Sequence, residues 1–104
     1  NGQTPKLSIL PKENKHLDGK PDNIVKLYYE LRNRIFEIGD NIEIKPVESY
    51  ISYKVSNTNF VDIYVWKSKL NLDINIPKEY LKDDKKIAKD VKGWNGRRIE
   101  TNKY

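Results

Sequence analysis

The sequence predicts an α+β fold: an antiparallel sheet of four to five strands with a long amphipathic helix and a short second helix packed on it. Three observations predict it. A stripe of apolar residues at Ile24, Leu27, Tyr28, Leu31, Ile35 and Ile38 recurs at the helical period. Four strand-like runs follow with short connections, as antiparallel hairpins require. The last of these alternates cleanly, with Leu70, Leu72, Ile74 and Ile76 on one side and Asn71, Asp73 and Asn75 on the other.

The first twenty residues hold four Lys, two Pro and few apolar side chains, which predicts a flexible basic arm or linker over 1–20 and a single domain over 21–104. The helix is expected from Asp22 to Ile38, with Pro21 suited to its start and Gly39 to the left-handed position after its end. Glu30 stands four residues before Arg34 as a supporting surface pair. The strands are expected at 42–47, 50–55, 60–66 and 70–76, with Pro46 marking the first as an edge or a bend. A short helix from Asp84 to Lys92, capped by Asp84 and ended by Gly93, precedes a final strand over 97–102.

Register decides which side chains are free to act. A three-residue loop between the third and fourth strands favours Gly at a positive φ, and Lys67, Ser68 and Lys69 offer none. An even loop through Lys67 and Ser68 sets Val61, Ile63 and Val65 beside the Leu70–Ile76 core face. The second face then carries Phe60, Asp62, Tyr64 and Trp66, joined by Tyr50, Ser52 and Lys54 if Ile51, Tyr53 and Val55 turn inward.

Composition narrows the chemistry. The 104 residues suffice for one domain. There is no Cys, which excludes disulfides and thiolate metal sites, and the lone His16 excludes a histidine cluster. No cofactor, metal site or catalytic residue is expected, because no nucleophile–base pair can be named. No apolar run reaches membrane-span length and no secretory signal is visible, so a cytoplasmic protein with no membrane contact is expected. The chain begins at Asn1 and contains no Met, which suggests a domain excised from a larger protein. Net charge is +5, with sixteen Lys among 20 basic residues against 15 acidic ones. That balance has two readings, an ordinary lysine-rich surface or an electrostatic footprint for a polyanion.

Candidate nucleic-acid-binding residues are Lys54, Tyr64, Trp66, Lys67, Lys69, Trp94, Arg97 and Arg98. Exposed aromatics interleaved with lysines offer π faces to unpaired bases and cations to the backbone. A covered face, packed on the Trp94 segment, the second helix or a partner, is the competing reading. Gly93-Trp94-Asn95-Gly96 with Arg97-Arg98 is either a backbone nest for phosphate or a tight turn on a buried Trp. Asp62 and Asp73, facing each other, are too few ligands for a metal. The run from Lys78 to Lys92 mixes signs and reads as a solvated face.

One resemblance spans most of the chain. Tyr53-Lys54, Asn59-Phe60-Val61-Asp62-Ile63, Leu70-Asn71-Leu72, Ala88-Lys89-Asp90-Val91 and the Gly93-Trp94-Asn95-Gly96 turn follow in order, after His16-Leu17 and a helix ending near Arg34-Ile35. The pattern resembles a bacterial domain family of unknown function. Its members stand at the C-terminal end of larger proteins described as nuclease-like, restriction-related or predicted transport proteins. The family's turn usually holds a His that this chain lacks. The resemblance implies an accessory module and no known reaction; taken with the basic and aromatic residues, it leads to the expectation of a non-catalytic module that helps position nucleic acid for the catalytic domain of a parent protein. The alternative is a protein–protein docking domain with no nucleic-acid contact.

Overall fold

The computed structural model describes residues 9–38, 41–55, 57–75, 93–94 and 96–102. Two helices, α1 (Pro11–Leu17) and α2 (Asp22–Ile38), precede strands β1 (Ile42–Pro46), β2 (Ile51–Val55), β3 (Thr58–Val65) and β4 (Leu70–Ile74). Strand β5 (Ile99–Thr101) completes one sheet in the order β1-β2-β3-β4-β5. The helix expected over 84–92, the Gly39 terminus and the Lys78–Lys92 run lie outside the described residues.

Helix α1 falls inside the stretch expected to be a flexible arm. Pro11 supplies the preset φ of a first helical residue, and Glu13 reaches back to accept a hydrogen bond from the Leu10 N–H at 3.1 Å. Glu13 and Leu17, four residues apart, form its buried face. Gly19, at φ 75°, then turns the chain into α2.

Helix α2 buries Ile24, Tyr28, Leu31 and Ile35 as the stripe requires, and lies against β4. Its buried surface also runs through Arg32 and Phe36, while Leu27 and Ile38 are half-buried at its margin. The burial is therefore rotated toward the row Tyr28–Arg32–Phe36.

The β3–β4 register is the even-loop one: Val61 pairs with Ile74, Ile63 with Leu72 and Val65 with Leu70. The Trp66 N–H closes the turn on the Lys69 carbonyl at 3.0 Å, leaving Lys67 and Ser68 at the tip. Ile51, Tyr53 and Val55 face inward. Two features differ from expectation. Tyr53 pairs with Val61 but Lys54 with Asn59, so Phe60 is the extra residue of a β-bulge. The bulge re-aims its side chain into the core, where it is fully buried, and Phe60 leaves the second face. The sheet is also not wholly antiparallel, because β5 pairs parallel with β4, Leu70 beside Ile99 and Leu72 beside Thr101. A parallel neighbour cannot be reached by a hairpin, and the long connection from Asn75 to Arg98 supplies the crossover.

Leu31 is 1% exposed between α2 and the sheet. Replacing it with Ala should lower unfolding free energy by about 2 to 5 kcal/mol in a urea titration. A loss within experimental error would show that α2 does not close the core.

Candidate functional site

Three of the residues expected to bind nucleic acid converge at the β3–β4 hairpin tip. Trp66 is the most exposed large apolar side chain among the described residues, at 50%. It lines an open depression with Lys20, Val65, Lys67, Ser68 and Lys69. Lys20 comes from the α1–α2 connection, so two distant segments bring cations to one indole. Lys69 also bonds Glu100 at 2.9 Å, whereas Lys67 has no ion-pair partner among the described residues. Arg98 joins this end through its backbone: its carbonyl accepts the Leu70 N–H at 2.7 Å, one residue from Lys69. Arg98 holds φ 65°, an uncommon conformation for a residue with a Cβ, and its side chain is exposed.

The remaining candidates lie elsewhere. Tyr64 is half-buried on the second face, its ring 5.2 Å from that of Tyr50. Burial first, and then the charge of Asp62, raise its phenol above the ordinary value. Lys54 bonds the Asn59 side-chain oxygen at 2.6 Å, and Asn59 in turn donates to Asp62 at 3.2 and 3.3 Å. Asp62 stands directly opposite Asp73. The middle of this face therefore carries two facing carboxylates, with Lys54 linked to one of them through Asn59. Arg97 is drawn away into a pair with Glu30 at 2.7 Å, and its hydrogen bond holds the Glu30 carboxyl below the usual range. Contrary to expectation, Trp94 is a core residue, 1% exposed near Leu27, Leu31 and Ile99, so its indole is not open to a base. Among the described residues no group of three or more His, Asp or Glu could hold a metal.

Sequence reasoning missed the most densely bonded cluster, which is interior. Glu13 is fully buried and Arg32 is 4% exposed. The Arg32 Nε donates to Glu13 Oε2 at 2.6 Å, and its Nη2 to Oε1 at 3.3 Å. Tyr28 donates its hydroxyl to the same carboxylate, Tyr53 does so at 3.4 Å, and the two hydroxyls lie 2.6 Å apart. The guanidinium also sits 5.3 Å from the centre of the Phe36 ring. Burial works against the charge of Arg32, but the hydrogen bond and charge of Glu13 outweigh it and hold its pKa above the ordinary value. Hydrophobic periodicity is blind to such a pair. The legible signal was Pro11 with Glu13 two residues on, a helix start where an arm was expected.

A family model described as a domain of unknown function (DUF5655) matches residues 13–101. The chain belongs to that family. The match opens at Glu13, so the DUF5655 domain includes most of α1 as well as the sheet through β5. An uncharacterized protein of Haemophilus influenzae is 35% identical over 79 residues, which is 76% of this chain and 26% of that protein. The chain thus spans about a quarter of the length of that bacterial relative. No solved structure matches the chain. No helix among the described residues is long and apolar enough to cross a membrane.

The interior cluster yields two expectations. Arg32→Met leaves the buried Glu13 carboxylate without its guanidinium, and Glu13→Gln takes that carboxylate away from Arg32; either change alone should cost about 3 to 5 kcal/mol in chemical denaturation. The double variant should cost much less than the sum, since no lone charge remains and the two phenols still bond each other; additive losses would refute the pairing. Burial above all raises the Tyr28 and Tyr53 phenols far above their ordinary 10.0. With the folded value above the unfolded one, their contribution is complete below about pH 10 and is lost as pH rises beyond it. In an ultraviolet titration of the seven tyrosines, these two should yield phenolate only on alkaline unfolding. Seven native-state titrations would contradict this.

Proposed function

We propose that this chain is a non-catalytic accessory module that contacts single-stranded nucleic acid through the β3–β4 hairpin tip. The observation that carries the reading is Trp66, half exposed in a depression it shares with Lys20, Lys67 and Lys69. An open indole stacks on any unpaired base, and lysines around it neutralise the flanking phosphates. Duplex bases offer no free π face, so the tip favours single strands. The +5 charge adds a weak long-range attraction. The setting that the family resemblance implies, a C-terminal module beside a nuclease-like catalytic domain, fits a surface that holds a strand and does no chemistry. The small share of the bacterial relative that the chain spans agrees with a module of a larger protein.

Fluorescence tests this directly, because the chain has two tryptophans and Trp94 is buried. A single-stranded oligonucleotide should quench Trp66, and affinity should fall with salt at a log–log slope of about −2 to −3, roughly 0.7 per phosphate contacted. Trp66→Ala should weaken binding by about 1 to 3 kcal/mol with little change in slope. Lys67→Ala with Lys69→Ala should flatten the slope. Absence of binding at low salt would reject the reading and leave protein docking through the same indole.

A further inference from the structure

A second pocket lies away from the hairpin tip, between α1 and the β1–β2 turn. It is a groove of about 220 Å³ lined by Lys12, Lys15, His16, Val47 and Glu48. Lys12, Lys15 and His16 stand three and four residues apart, so they share one face of α1. The adjacent face carries Glu13 and Leu17 and is fixed in the core. The helix therefore cannot roll, and its basic face is held toward the groove. The opposite wall is the turn that the Val47 N–H closes on the Tyr50 carbonyl at 2.8 Å. His16 ties the two walls together, with Nε2 at 2.6 Å from the Val47 carbonyl oxygen. That oxygen can only accept, so Nε2 carries the proton and Nδ1 is the ring's other polar atom. Among the described residues neither Lys12 nor Lys15 makes an ion pair.

We infer that this groove binds a phosphate monoester of a small hydroxylated molecule. Lysine ammonium groups act as point charges suited to a tetrahedral oxyanion, whereas a carboxylate is better met by the planar fork of Arg. Two unpaired ammonium groups on one wall outweigh the lone carboxylate of Glu48 on the other. Glu48 repels a bare oxyanion but accepts hydrogen bonds from hydroxyl groups, so it selects an ester carrying them over inorganic phosphate. The volume is below that of a drug-sized pocket and fits a sugar phosphate. The inference does not depend on the hairpin tip.

His16 is the only histidine, so the proton on its Cε1, between the two ring nitrogens, gives one isolated NMR signal. Titration with a pentose 5-phosphate, at ionic strength held constant with chloride, should shift that signal to saturation. The free pentose should leave it unmoved, and inorganic phosphate should bind more weakly. Lys12→Ala with Lys15→Ala, both on the exposed face of α1, should weaken the pentose phosphate by at least about tenfold, or roughly 1.4 kcal/mol. Glu48→Gln should narrow the gap between the ester and inorganic phosphate. An unsaturable shift, an equal shift with the free pentose, or undiminished binding in the double lysine variant would overturn the site. Unaltered unfolding midpoints of the variants exclude loss of fold as the cause.

Discussion

The buried carboxylate of Glu13 is the constraint on which the arrangement of α1, α2 and β2 depends. A charge taken out of water in so small a domain is tolerable only when its oxygens are bonded. Glu13 meets that demand with donors from Leu10, Arg32, Tyr28 and Tyr53, drawn from the start of α1, the middle of α2 and the centre of β2. Apolar packing accepts many small displacements. A carboxylate surrounded by donors accepts few, because each shift leaves a polar atom unpaired. The three elements are therefore tied together at one carboxylate, and α1 packs with the domain and is not a tether ahead of it.

Much of the fold was legible in the sequence because apolar periodicity reports directly on burial. The Ile24–Ile35 stripe located α2, and the absence of Gly between Trp66 and Leu70 selected the even loop that sets the β3–β4 register. The misses share one physical origin: each involves a residue whose environment departs from its local pattern. Phe60 follows strict alternation onto the second face, yet it adjoins Val61 and both are apolar. Only an inserted residue lets both point inward, as the bulge opposite Tyr53 and Lys54 does. Arg32 and Glu13 are charged at core positions, where hydrophobic counting assigns solvent. The parallel β4–β5 pair was written only in the length of the connection before Ile99.

The candidate surface was half legible. Trp66, Lys67 and Lys69 are neighbours in sequence, and a hairpin keeps them neighbours in space. Lys20 could not be added from sequence, since its approach depends on the turn after α1. Trp94 shows the converse, for its surroundings of glycines and arginines suit an exposed nest while its volume is spent filling the core beside Leu31. The cations also separate by partner. Arg97 and Lys69 are engaged by Glu30 and Glu100, so formal charge overstates the attraction available at any one place.

The parallel docking of β5 has a kinetic consequence. Strands β1 to β4 form a meander whose pairings are all between sequence neighbours, so their loops close quickly and at small entropic cost. Strand β5 must instead return across the whole connection after β4 before Ile99 can meet Leu70. Within the sheet, the one large sequence separation thus falls on this pairing. On a ribosome the meander can assemble while its final strand is still unsynthesised, with the outer edge of β4 unpaired until then. Strand β5 is thus the last of the five strands to be synthesised and the one that covers the open edge of β4.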